Sequence, residues 1–236
     1  MNIEINNLCF GFGEKIIFDN FNLALNLNAE EKLPVIILGP SGCGKTTLFR
    51  LIAGTLPCDI KPKPSVSFVF QDSRFLPWFT IFENICLPLE KIFGKNESKE
   101  RALQFLKLVS IEDKADAYPD KLSGGQLQRA SIARAFAYPS ELLLMDEPFQ
   151  SLDIPLRIEL MEVCLSLLEN EKRLALMVTH DPREAVFMGG RIIVLGQPLS
   201  GIIFDEKVNM TKAEREYGSA AAGELEKKLL GKLKTI

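Results

Sequence analysis

The chain has 236 residues, 47% of them hydrophobic, with 28 Lys and Arg against 31 Asp and Glu for a formal net charge of −3. A chain of this length buries roughly 70–75% of its unfolded surface and needs no disulfide or metal staple, and its slight acidic excess argues against a general nucleic-acid binder. Its apolar runs fall far short of the roughly 18–20 residues of a bilayer span, its start shows no secretory pattern, five scattered cysteines without a CxxC exclude a zinc ribbon, and a single histidine, His180, excludes multi-histidine metal sites.

In chain order, residues 3–8 alternate apolar and polar, and residues 20–27 set Phe21, Leu23, Leu25 and Leu27 against Asn and Ala. Both read as strands with one buried face. Residues 35–38 are all apolar, the pattern of a strand buried on both faces, and lead through a Gly-rich turn into a predicted helix over 46–53. Pro57, Pro62 and Pro64 mark a loop, and 66–70 is another short strand. From about 72 to 139 the spacing turns helical, with Ala102, Phe105, Leu106 and Val109 recurring at three and four. The pattern then predicts a strand over 141–145, a helix over 155–169, a strand over 174–179 and a short helix over 183–187. Strands follow over 192–195 and 201–204. Residues 223–233 form an amphipathic helix with Leu225, Leu229, Leu230 and Leu233 on one side, expected to pack on its own domain. Strands and helices alternating at both ends predict an α/β fold around a mostly parallel sheet, interrupted by a helical insertion.

Three motifs carry chemistry. Gly39, Pro40, Ser41, Gly42, Cys43, Gly44, Lys45, Thr46 and Thr47 fit G-x-x-x-x-G-K-[ST] between a predicted buried strand and a predicted helix. Glycines let consecutive backbone N–H groups curl around phosphate oxygens, and the helix N-terminus adds a positive dipole end. Lys45 supplies charge to the β- and γ-phosphates, and the Thr46 hydroxyl suits Mg²⁺. Cys43 reads as a tolerated small residue rather than a redox switch. The apolar run 142–145 ends in Asp146 and Glu147, which puts acids at the carboxyl edge of the sheet beside the phosphate loop. Asp146 suits Mg²⁺ through its water shell, and Glu147 suits a general base that polarises water. Finally, Ser123, Gly124, Gly125 and Gln126 open a predicted helix over 126–137. Ser123 alone suffices as a cap, so two glycines carry an entropic cost the cap does not need. The stretch reads as a second phosphate cradle without its own Lys or metal ligand. Two anion sites and one hydrolytic centre suggest that two chains complete each other.

Together these motifs resemble the ATP-binding subunit of ABC transporters, over essentially the whole chain and in the family's order. Residues 39–47 look like the Walker A loop, 122–126 the signature, and 142–148 the Walker B strand. Gln71 in Phe68-Val69-Phe70-Gln71-Asp72 resembles the Q-loop glutamine, Ser151-Leu152-Asp153 the D-loop, and His180 the switch histidine. The resemblance implies one ABC domain over 1–236. Residues 1–71 and 141–236 would form a RecA-like P-loop NTPase core with a parallel sheet and an N-terminal antiparallel β subdomain. Residues 72–140 or so would form a helical subdomain bearing the signature. It further implies a head-to-tail homodimer enclosing ATP and Mg²⁺. Lys45 and its loop would hold phosphates, and Thr46, Gln71 and Asp146 the metal. Ser123, Gly124, Gly125 and Gln126 of the other chain would close on the nucleotide, with Asp153 nearby. Glu147 would activate water, and His180 would contact the γ-phosphate. The implied partners are integral membrane permease subunits and, indirectly, a solute-binding protein, but no nucleic acid. The implied place is the cytoplasmic face of the cell membrane.

A finer resemblance rests on Gln71-Asp72-Ser73-Arg74, Leu76-Pro77-Trp78 and Glu147-Pro148-Phe149. These are similar to the importer branch that handles nitrate, sulfonates, taurine and thiamine-precursor pyrimidines. Trp78, the only tryptophan, is then either part of a docking surface for the membrane partner or a core filler. Phe12 matches the position where the family stacks an aromatic ring on adenine, with Phe10 as the alternative. Only 16 residues separate Gly54 from Gln71, which predicts a shortened antiparallel subdomain. The competing readings are an exporter ATPase, a non-transport ABC ATPase, and a binding module that uses ATP only to dimerise. Non-transport members usually bring tandem cassettes, a coiled coil or a zinc module, none of which is visible.

Overall fold

Ile3, Ile5, Leu23 and Leu25 are at most 4% exposed, while Glu4, Asn22 and Ala24 between them face solvent. That alternation builds an antiparallel hairpin from β1 (Asn2–Phe12) and β2 (Lys15–Asn26), in which Ile3 pairs with Leu25 and Ile5 with Leu23. Asn7 and Asn20 both take φ of 50°, a left-handed conformation that asparagine tolerates. The register shifts between Ile5 and Leu8. This bulging breaks the simple period, so β1 runs on to Phe12 instead of stopping at residue 8.

The computed structural model describes residues 2–26, 33–58, 60, 63–150, 152–171 and 173–234. Leu27, Pro62 and Ser151, named above, lie outside the described residues, as do Asp59 and Lys61 of the Pro-rich loop. After the hairpin come β3 (Val35–Leu38), α1 (Lys45–Ile52), β4 (Val66–Val69), α2 (Ile81–Leu108), α3 (Gly124–Ala137) and β5 (Leu142–Asp146). Then follow α4 (Ile154–Asn170), β6 (Leu174–Thr179), α5 (Pro182–Met188), β7 (Arg191–Leu195), β8 (Ile202–Lys207), α6 (Lys212–Arg215) and α7 (Ala220–Lys234). These residues cluster as two units, one from residues 1–65 and 172–236 and one from 66–171.

In the first unit β3 lies between β6 and β7, parallel to both, and β8 joins β7 antiparallel. All four residues of β3 are buried, as its unbroken apolar run requires. Helix α1 buries Leu48, Phe49, Leu51 and Ile52. Helix α7 packs on α5 and β7 and buries Ala222 and Leu229, while Leu225 and Leu233 are half-buried. Leu230 is 45% exposed. It departs from the expected apolar side, because only one of two adjacent leucines can point at α5. Buried Arg215 donates to the carbonyls of Met210, Val186 and Val208 at 3.0, 3.1 and 2.7 Å, and also to Gly189. One guanidinium thereby satisfies four backbone acceptors around α5 and β8.

In the second unit β4 pairs parallel with β5. Helix α2 starts on a Thr80 capping box with Glu83 and breaks at Gly94, where φ 75° and ψ 177° divide it into two arms. Buried Asn84 accepts from Leu76 N and donates to the carbonyls of Leu76, Phe79 and Thr80. It pins the chain just before α2. Helix α3 presents Ala130, Ala133 and Ala137 among its buried residues. These small side chains permit close approach of α2, and Phe105, Leu106 and Phe136 complete the core there. Among the described residues, no helix is long and apolar enough to cross a membrane.

Candidate active site

Parallel strands deliver their following loops to one edge. In the first unit Leu38 of β3 is in register with Thr179 of β6 and Val194 of β7. The loop starting at Gly39 and the turn carrying His180 therefore leave neighbouring strands at the same carboxyl edge. Gly42 and Gly44 take φ of 80° and 106°. A Cβ on Gly44 would meet Ile17 Cγ2 at 2.6 Å and Phe18 Cζ at 2.8 Å. Backbone conformation and the packing of β2 thus both demand glycine there. Cys43 is buried, 3% exposed, in keeping with a packed small side chain. Lys45 is 5% exposed, and its Nζ donates to the Gly39 and Pro40 carbonyls at 2.8 and 2.9 Å. Its ammonium lies inside the curl of the loop. Ser41 and Thr46 are exposed at the rim, Pro40 and Thr47 half-buried. Gly44, the cap of α1, brings no side chain to cover the first N–H groups of that helix, which leaves the arrangement an anion-binding helix end has.

His180 is exposed, and its neighbours fix its turn. Thr179 Oγ1 donates to Glu184 Oε2 at 2.5 Å and accepts from Asp181 N at 3.1 Å. Asp181 caps α5 by accepting from Arg183 N at 2.9 Å. Glu184 is 3% exposed. No motif in the sequence marks it, because its burial follows from its bond to Thr179 in the folded turn. Phe12, at the hairpin end, is 50% exposed and meets Phe10 edge-to-face at 5.3 Å. Phe10 is half-buried, so Phe12 offers the more open ring face.

In the second unit Val69 of β4 is in register with Met145 of β5. Gln71 and the pair Asp146 and Glu147 accordingly leave adjacent strands at one edge. Both acids are half-buried. Glu147 has φ 46°, a left-handed conformation that costs a non-glycine residue on the order of 1–3 kcal/mol and collects at functional sites. Gln71 Nε2 donates to Gln150 Oε1 at 2.5 Å. Gln71, Arg74, Gly124, Gln128, Glu147 and Gln150 border one cavity of about 420 Å³. Gln150 had no sequence signal, because its partner lies 79 residues away.

Ser123 caps α3 as expected. Its hydroxyl accepts from Gln126 N at 3.3 Å, and Gln126 Oε1 accepts from Ser123 N at 3.0 Å. The two glycines behind it differ. A Cβ on Gly125 would meet Leu156 Cδ2 at 2.5 Å, whereas one on Gly124 would meet nothing within 4 Å. The Leu156 methyl on α4 would have to turn aside for a side chain at Gly125, and nothing in the chain's own packing requires Gly124. Asp153 is exposed at the start of α4 and makes no side-chain cap bond. Trp78 is 66% exposed, which excludes the core-filler alternative.

A family model described as ABC transporter matches residues 21–150, more than half of the chain. The chain belongs to the ABC transporter family. The aliphatic sulfonates import ATP-binding protein SsuB of Cupriavidus pinatubonensis is 40% identical over 207 residues, 83% of this chain and 67% of that one. The spermidine/putrescine import ATP-binding protein PotA of Mannheimia succiniciproducens is 41% identical over 211 residues, 82% of this chain and 55% of that one. A solved dimeric ATP-binding cassette in a post-hydrolysis state, bound to ADP and Pi, has a TM-score of 0.71 and 30% identity, covering 89% of this chain and all of that one. This cassette is an ATP-binding subunit and an ATPase on a P-loop NTPase fold, similar to import subunits. The predicted α/β architecture with its antiparallel N-terminal strands stands.

Proposed function

We propose that the cassette hydrolyses ATP as a head-to-tail homodimer and so drives uptake of a small solute through separate integral membrane subunits. It works at the cytoplasmic face of the membrane, supplied by a solute-binding protein. The observation that carries the reading is the convergence of Gln71 and Glu147 on one cavity at the edge of β4 and β5. A sulfonate-like organic anion is the favoured solute. The similarity to a sulfonate import subunit and the segment 71–78 support it, and the spermidine/putrescine relative is the competing case.

Each residue has a role in this reading. Lys45 and the N–H groups of 39–47 hold the β- and γ-phosphates, and Phe12 stacks on the base. Ser123, Gly124 and Gly125 of the second chain close on the γ-phosphate, with Gln126 bracing that turn and Asp153 alongside. Glu147 takes a proton from water as the water oxygen bonds to the γ-phosphorus and the bond to the ADP oxygen breaks. His180 holds the γ-phosphate in register, and Gln71 aligns the water. Mg²⁺, when bound, would supply charge neutralisation at the phosphates. The Thr46 hydroxyl, Asp146 carboxylate and Gln71 amide oxygen are hard donors that suit it. Exposed Trp78 is part of the surface that meets the membrane subunits.

The test is ATP turnover and molecular size of the purified chain. Lys45→Ala is expected to lose ATP binding. Glu147→Gln is expected to lower turnover at least about a hundredfold and to run as a dimer with ATP. Unchanged turnover, or monomers only, would overturn the reading. With the membrane subunits, Trp78→Glu should lose assembly but keep ATP binding, and alkanesulfonate should accumulate inside vesicles. Efflux instead would establish the exporter.

A further inference from the structure

Helix α3 does more than present its capped start. Eleven residues beyond Ser123, about 16 Å at ~1.5 Å per residue, Arg134 turns its guanidinium onto the segment after Gln71. Nη1 donates to the Arg74 carbonyl at 3.2 Å and Nη2 donates to the Ser73 carbonyl. The guanidinium lies over the Phe75 ring, 4.4 Å from its centroid. One side chain thus grips three consecutive residues. The segment is also folded back on itself. Arg74 takes φ 48°, and its own guanidinium lies 4.4 Å over Phe70. Gln71 sits between these held positions, with its amide on Gln150.

The plainer reading makes Arg134 a satisfier of loop carbonyls and no more. Two observations go further. The chain after residue 75 already has an anchor in Asn84, so the Arg134 contacts act locally on the turn that bears Gln71. And they come from the helix that opens at Ser123, not from a neighbour of β4 in sequence. Two charge-assisted bonds plus a stacked ring are what a planar guanidinium provides and an ammonium does not. Burial lowers the Arg134 pKa to about 10, which leaves it charged at neutral pH.

We propose that Arg134 is a positioning residue for ATP hydrolysis, which ties the turn bearing Gln71 to the helix that carries the signature cradle, so that the two move as one body. It rests on the role given to Gln71 above.

The experiment is steady-state ATP turnover of the full chain carrying Gln71→Ala, Arg134→Met, Arg134→Lys, and Gln71→Ala with Arg134→Met. Arg134→Met is expected to lower kcat about tenfold with KM within about twofold, and Arg134→Lys to recover part of the loss. In the Gln71→Ala background, Arg134→Met should lower kcat by less than about twofold more. Losses that multiply, or an unchanged kcat in Arg134→Met, would overturn the proposal while leaving the role of Gln71 intact. Full turnover in Gln71→Ala would overturn that role itself. If Arg134→Met does not purify folded, Arg134→Lys replaces it in the same cycle and is judged by the same criteria.

Discussion

Gln71 Nε2 donates to Gln150 Oε1 at 2.5 Å, joining the residue that follows β4 to one three positions past Glu147. Both side chains are exposed, so the bond is worth about 0.5–1.5 kcal/mol. That is enough to bias the Gln71 rotamer and weak enough to exchange for another partner. Gln150→Ala should lower kcat about two- to fivefold with KM unchanged, and Gln150→Glu, which keeps an acceptor, should restore most of it. Steady-state kinetics of the two variants checks this.

The neighbouring glycines of the signature should respond differently to one added methyl group. Gly125→Ala meets the Leu156 Cδ2 methyl at 2.5 Å, and because that side-chain end can turn aside it should cost no more than about 1 kcal/mol of stability. Gly124→Ala has open space and should leave stability within about 0.5 kcal/mol while lowering turnover. Thermal melts beside ATPase assays separate the two effects. A melt equally depressed in both variants would contradict the geometry.

Arg215 holds four carbonyls in the interior of the first unit. Arg215→Met keeps the apolar stem but leaves those acceptors without their donor. The expected loss is about 2–4 kcal/mol, read as a lower urea midpoint with an unchanged m value. Arg215→Lys should recover only part of it, since an ammonium cannot span the same four oxygens.

Thiol reactivity should divide the cysteines by burial. Burial pushes the Cys164 thiol up to about 12, and burial with the Glu90 charge pushes Cys86 up to about 11. A raised pKa means less thiolate, about 10⁻⁴ and 10⁻³ of each at pH 8. Iodoacetamide should therefore modify exposed Cys9 in the folded protein and reach Cys164 and Cys86 only after denaturation. Peptide mapping by mass spectrometry checks it, and rapid labelling of native Cys164 would contradict the burial.

Much of the fold was legible where one physical cause dominates. The all-apolar run Val35–Leu38 forms a strand with those bounds because no polar residue competes for the interior, and so does Leu174–Thr179, apolar up to its last residue. The Ser123 cap was legible because its donors are local. The motif residues of the candidate site were also legible as positions. Their surroundings were not. Gln150, Arg134 and Glu184 carry no periodicity or local motif, and the contacts of the first two cross 60 to 79 residues. Trp78 was compatible with burial or exposure until the fold decided it. The bulges at Asn7 and Asn20 hid the true length of β1, because a left-handed residue leaves no mark in a hydrophobic pattern.

Lys45 Nζ already donates to two carbonyls of its own loop. An incoming phosphate does not meet a solvated ammonium. It competes with partners of partial charge for one that is already desolvated and aimed. The net gain on binding is therefore an exchange, smaller than the bare attraction between the two charges, but little chain ordering is left to be done at that moment. The result favours recognition by charge number. A ligand with one weak anionic oxygen gains little over the resident carbonyls, while a polyphosphate that engages several loop N–H groups at once displaces them.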